Sequence, residues 1–166
     1  MKLIVNAGHT KLGKGTGAKK YLNESVETRK IAYHLMELLA DTKHEVIPAV
    51  FDSSSNNLKE AVEVSKNADL FISIHLNAGG GKGVEAYTWK GKQLPLAVSI
   101  CDKLRLYCNG NRGVKDGSHL YVIKNTKCPA ILIECGFVDD KDFKNDYEYE
   151  AIAYSIFSAI LEEYGK

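Results

Sequence analysis

Four ionisable residues stand where chemistry is easiest to build: His9, Glu24, His75 and Glu134. His9 follows the short apolar run Lys2–Asn6, His75 closes the apolar run that begins at Asp69, and Glu134 closes Ala130-Ile131-Leu132-Ile133. In an open α/β sheet, functional groups collect in the crevice beyond the carboxyl ends of the strands, where these three residues fall. Glu24 joins them if its helix starts at the same rim. Two imidazoles and one carboxylate make the donor set of a catalytic zinc site, which keeps a further position open for water. A carboxylate closing a strand as apolar as Ala130–Ile133 is costly to desolvate without a partner. Water beside the metal would give Glu134 one, as a general base that takes a proton and returns it to a leaving group. Any one of these residues alone would be an ordinary polar group at the end of an element.

The elements that must position them follow from pattern. Lys2–Asn6 predicts a buried strand, and a loop with Gly13, Gly15 and Gly17 follows it. Asn23 caps a helix over Glu24–Leu39, with Ile31, Leu35, Leu38 and Leu39 at helical spacing and Glu24 on the same stripe. Glu45–Val50 and Asp69–Leu76 predict strands on either side of a helix over Leu58–Ser65. Val84–Trp89 alternates like a strand at an antiparallel edge, with Tyr87 and Trp89 on one face. Leu94–Cys108 predicts a helix that stops at Asn109-Gly110. His119–Ile123 and Ala130–Glu134 predict two short strands, and Tyr147–Tyr164 a last helix entered through the charged stretch Asp139–Asp146. The alternation favours an α/β fold: a mostly parallel twisted sheet of about six strands, helices on both faces, and the active site at the carboxyl ends of the strands.

The stretches Ile4-Val5-Asn6-Ala7-Gly8-His9, Asn23-Glu24, Ile72-Ser73-Ile74-His75-Leu76-Asn77-Ala78 and Pro129-Ala130-Ile131-Leu132-Ile133-Glu134-Cys135-Gly136-Phe137 resemble the four signatures of the zinc-dependent N-acetylmuramoyl-L-alanine amidases of autolysins and phage endolysins. They occur in the family's order and span nearly the whole chain. The resemblance implies that His9, Glu24 and His75 bind Zn2+ and that Glu134 is catalytic. It also implies a substrate, peptidoglycan, cut at the amide between N-acetylmuramic acid and L-alanine. Cys135 stands where many members carry threonine or another small residue.

With 166 residues, 45% hydrophobic and 26% charged, the chain suits one catalytic domain over 1–166. A formal charge of +1 implies neither nucleic acid nor an anionic membrane as partner. No segment nears the ~20 apolar residues that span a bilayer. The N-terminus leaves no room for a signal peptide, so the expected enzyme is made in the cytoplasm and reaches the wall through a pore made by another protein. Many members carry a separate wall-binding domain, and none is visible here. Cys101, Cys108, Cys128 and Cys135 lack metal or redox spacing and read as free buried thiols.

Competing readings concern the same residues. Gly8–Gly15 nearly matches a phosphate loop, but Gly15 stands where a hydroxyl residue should hold magnesium. A zinc peptidase cutting a wall peptide and a wall-binding module without activity are further alternatives. Glu27 is the substitute ligand if the helix starts later. His34 and His44 read as surface or boundary residues, and His119 as the remaining histidine closest to the cleft. The acidic and basic residues from Asp139 to Glu150 read as a solvated face.

Overall fold

The computed structural model describes residues 1–92, 94–145 and 147–165. One six-stranded sheet runs through it: β1 (Lys2–Ala7), β2 (Glu45–Ala49), β3 (Leu70–Asn77), β4 (Val84–Thr88), β5 (Asn111–Asp116) and β6 (Ala130–Phe137), in the spatial order β2-β1-β3-β6-β4-β5. β2, β1, β3 and β6 run parallel. β4 is antiparallel to β6, and β5 is parallel to β4, so a reversed pair closes one side. Pro48 is tolerated because β2 is an edge, where a missing amide donor costs the sheet nothing.

The two faces are covered unequally. On one, α1 (Glu24–Ala40), α3 (Pro95–Leu104) and α6 (Tyr149–Tyr164) bury Leu3, Val5, Ile72, Ile74, Ile131 and Ile133, with Ile31, Leu35, Ile156 and Ile160 reaching down from the helices. On the other, among the described residues, only α2 (Asn57–Val64) and α4 (Tyr121–Asn125) pack over Ile4, Phe71, Ala130 and Leu132. Strand side chains alternate between faces, so Asn6, Ser73, His75, Glu134, Glu85 and Tyr87 project on this second, thinly covered face. α5 (Lys141–Asn145) sets Phe143 beneath Gly136, whose φ of 120° and lack of a side chain admit the ring.

The sequence pattern misplaces three elements. β5 was not expected: of its residues Asn111-Arg112-Gly113-Val114-Lys115-Asp116 only one is a large apolar residue, and the edge position needs no more. Because β5 takes the edge, β4 is antiparallel as expected but interior. His119–Ile123 is no strand: the run ends in the short helix α4, whose Val122 and Ile123 bury together against the sheet. The expected helix over Leu94–Cys108 ends at Leu104 and continues as turns. Within the charged stretch Asp139–Asp146, residues 141–145 form α5, and Asp146 lies outside the described residues. Among the four cysteines, Cys101, Cys108 and Cys135 are free and buried, and Cys128 is half-buried.

Candidate metal centre

β1 ends at Ala7, and the backbone then turns through Gly8 into His9, which takes a left-handed φ of 65°. For a residue with a Cβ this conformation costs about 1–2 kcal/mol, and it swings the imidazole back over the sheet rim. Three contacts hold the turn. Thr28 Oγ1 donates to the Gly8 carbonyl at 3.1 Å, and the buried Arg29 donates through Nη2 to the carbonyls of His9 (3.2 Å) and Phe51 (2.6 Å). His9 Nδ1 donates to the Gly15 carbonyl at 3.1 Å, which leaves Nε2 as the ring's acceptor.

Glu24 opens α1, and its carboxylate is 5% exposed. Oε2 accepts from the Ala18 amide at 2.8 Å and Oε1 from the Leu76 amide at 3.2 Å. The same Oε1 lies 3.1 Å from His9 Nε2 and 3.2 Å from His75 Nδ1. One donor atom from each of the three residues lies within 4.8 Å of the others, and the two rings meet edge-to-face at 5.0 Å. A tetrahedron with arms of about 2.05 Å has edges of about 3.3 Å. The two measured separations are close to that edge, and the donors are the imidazoles and carboxylate that a borderline divalent cation prefers, so the residues fit such an ion. The histidines hold the Glu24 carboxyl far below the usual carboxylate range despite its burial, and burial lowers the His75 imidazole. Both shifts leave the groups in their metal-binding forms at neutral pH.

Glu134 sits beside this cluster. It is the in-register neighbour of His75 across the parallel β3–β6 pair and of Glu85 across the antiparallel β4–β6 pair, so all three side chains project on one face. Its Oε2 is buried without a hydrogen-bond partner among the described residues. Burial, aided by the charges of Glu24 and Glu85, pushes its carboxyl up to about 8. A native carboxyl that keeps its proton above the unfolded value stabilises the fold progressively less as pH rises between the two values. In metal-chelated protein, Glu134→Gln should therefore melt higher than wild type at pH 8.5, with the gap closing by pH 5. Calorimetry across that range checks it, and a gap independent of pH would contradict it.

Two glycines complete the site for steric reasons. A Cβ on Gly8 would lie 2.5 Å from His75 Nε2, and a Cβ on Gly17, whose φ is 75°, would lie 2.5 Å from Glu24 Oε2. Gly17→Ala combines a left-handed strain of about 1–2 kcal/mol with displacement of a candidate ligand. It should weaken zinc binding at least about tenfold in a competitive chelator titration, since a shift of 1.4 kcal/mol suffices for that factor. Affinity equal to wild type would show that the loop leaves Glu24 free to move.

The structure thus brings His9, Glu24, His75 and Glu134 to one rim, as expected. Glu27, the substitute ligand, turns away and pairs with Lys30 at 2.9 Å. The loop Gly8–Gly15 closes on itself, with Thr10 donating to the carbonyls of Lys14 and Gly15, and α1 starts only at Glu24. Such a loop offers no helix N-terminus to a phosphate. His34 pairs with Glu37 on the surface, but His44 is 7% exposed and contacts the Gly165 carbonyl and the N-terminal amine, so it is a core residue. His119 is exposed, with its ring edge-on to Tyr87. Tyr87 and Trp89 part company: Tyr87 donates to Glu85 beside Glu134, whereas Trp89 lies in a single 3-10 turn after β4. Trp89 lines a cavity of about 360 Å³ at the opposite rim, larger than the one of about 250 Å³ between His9, His75 and α2. Volume favours the former, but the chemistry lies at the latter.

Neither Arg29 nor Glu85 stands out in the sequence. Arg29 is spaced with Ser25, Ala32 and Leu35 on the inward side of α1, and an arginine on such a stripe signals a buried carbonyl clamp. Glu85 sits between Val84 and Ala86 on a buried strand, where a charge needs partners.

Fold and donor set define a class: an α/β domain with a candidate metal centre at the carboxyl rim of its sheet. The chain belongs to the N-acetylmuramoyl-L-alanine amidase family, whose model matches residues 3–162. It is 30% identical over 165 residues to the N-acetylmuramoyl-L-alanine amidase CwlM of Bacillus licheniformis, covering 94% of this chain and 64% of that protein. It is 31% identical to the endolysin of Bacillus phage SPP1, covering 85% of this chain and 56% of the relative. Among solved structures, the catalytic domain of the CD27L endolysin targeting Clostridia Difficile superposes with a TM-score of 0.85 at 30% identity, covering 98% of this chain and 97% of that one. The chain spans about half the length of the curated relatives it matches.

Proposed function

We propose that this chain is a zinc-dependent peptidoglycan hydrolase that cuts the amide between N-acetylmuramic acid and L-alanine, with residues 1–166 acting as one catalytic unit. The observation that carries the reading is the approach of His9, Glu24 and His75 to one another within 4.8 Å, with Glu134 in register beside His75. Family membership supports the substrate. His9 through Nε2, Glu24 through Oε1 and His75 through Nδ1 would hold the ion. Zinc, when bound, supplies Lewis acidity that polarises the scissile carbonyl and makes water ionisable near neutral pH.

The chain's own residues do the rest. The rise in the Glu134 carboxyl belongs to the metal-free cluster, and a bound cation would oppose it; as the carboxylate, Glu134 takes a proton from the attacking water and delivers it to the departing L-alanine nitrogen. The Gly15 carbonyl fixes the His9 tautomer, and the Ala18 and Leu76 amides fix the Glu24 carboxylate, so the donor set is preorganised. The greater length of the relatives leaves room for a separate wall-binding module beside such a domain. Among the described residues no helix is long and apolar enough to cross a membrane, and the site of action is the bacterial cell wall.

Mass spectrometry of digested peptidoglycan tests the reading. New L-alanine amino termini on intact glycan strands, lost on chelation and restored by zinc, are expected. Cleavage inside the peptide would make the chain a zinc peptidase, and products insensitive to chelation would remove the metal from the account.

A further inference from the structure

Beyond the metal cluster, the same face of the sheet carries a built array of charge. Glu85 is 2% exposed, and its acceptors are fully engaged. Oε1 accepts from Asn77 Nδ2 at 2.8 Å and from Tyr87 OH at 2.7 Å. Oε2 accepts from Arg112 Nε at 2.5 Å and from Lys115 Nζ. One carboxylate thus gathers two cations, leaving a local excess of one positive charge next to Glu134. The cations are not buried with it: their side chains are 40% and 36% exposed. Arg112 spends only Nε on Glu85 and lies over the Phe137 ring at 5.3 Å, so the planar guanidinium is held while, among the described residues, its terminal nitrogens remain as donors. Lys115 likewise uses one of three ammonium protons.

We propose that Arg112 and Lys115, preset by Glu85, form a subsite for a free carboxylate on the substrate peptide, about two residues beyond the scissile amide. The inference rests on the amidase reading above. Strand geometry fixes the span: His75, Glu134 and Glu85 are neighbours across β3, β6 and β4, so the cations meeting at Glu85 stand two strand spacings, about 10 Å, from the metal cluster. An extended peptide advances about 3.5 Å per residue. Two residues span about 7 Å, and a charge-assisted hydrogen bond of about 3 Å covers the remainder, so the α-carboxylate branching from the second residue of a muramoyl-L-alanyl peptide comes within reach of the two cations. A γ-linked glutamate presents such a group, and its amidated counterpart does not. Glu85 is then a positioning residue that keeps two long cationic chains ordered before substrate arrives.

The test compares two synthetic muramoyl-L-alanyl peptides identical except that the second residue carries a free α-carboxylate or a carboxamide. Zinc-loaded wild type should favour the acid by roughly 10- to 100-fold in kcat/KM, the range of a charge-assisted pair, and less at high salt. Lys115→Gln and Arg112→Gln should each pull the ratio toward one, chiefly through KM. Equal rates on both peptides by wild type, or a ratio that neither variant changes, would overturn the subsite while leaving the amidase reading intact. Cleavage of neither peptide by zinc-loaded enzyme would bring down both.

Discussion

Glu134→Gln lowers peptidoglycan turnover about 10²- to 10⁴-fold and leaves the zinc content at the wild-type level. The magnitude is that of a positioned general acid and base. The retained metal follows from geometry, because the three candidate donors converge without Glu134. The isosteric amide keeps the size and shape of the side chain while removing the titrating group, so a folding defect is not expected to confuse the result. Turnover on purified cell walls, read together with metal analysis of the same sample, checks both halves. Near-wild-type turnover would remove Glu134 from the mechanism, and lost metal would make it a ligand.

His75→Ala has the second large effect: loss of stoichiometric zinc and, with it, of lysis. His75 is the least replaceable donor. Its ring sits over Gly8 with no room for a Cβ beneath it, shares Glu24 Oε1 with His9, and rides on β3, the strand between β1 and β6. A methyl group in its place leaves two donors, below the three protein ligands of a catalytic zinc site. Elemental analysis after dialysis against trace zinc gives the measurement. Full zinc occupancy in the variant would mean that His75 is not a ligand.

The legible part of this molecule was the part with strong periodicity and strongly apolar strands. β1 and β3 end within a residue of where their apolar runs end, and α1 begins at Glu24; β6 runs on past Glu134 to Phe137, yet its pairing with β3 still sets Glu134 beside His75, so the four residues lie at one rim. The illegible part was β5 and α4. A one-sided edge strand needs few apolar residues, and Gly113 with its φ of 76° interrupts any alternation in β5. Leu120-Tyr121-Val122-Ile123 reads as β-rich by composition, yet tertiary packing winds it into a helical turn, since two adjacent buried side chains suit one turn as well as one strand. The consequence was functional: with β5 unseen, Arg112 and Lys115 had no reason to be placed beside Glu85. Arg29 was missed for another cause, since a buried guanidinium has no meaning until the carbonyls of His9 and Phe51 are known to face it.

Anomalous diffraction at the zinc absorption edge, from crystals grown with one equivalent of zinc, addresses the convergence of His9, Glu24 and His75 most directly. A single strong peak about 2.0–2.2 Å from His9 Nε2, His75 Nδ1 and a Glu24 carboxylate oxygen is the expected result. A zinc peak elsewhere, or none at full zinc loading, would contradict the assignment of these three residues as the metal centre.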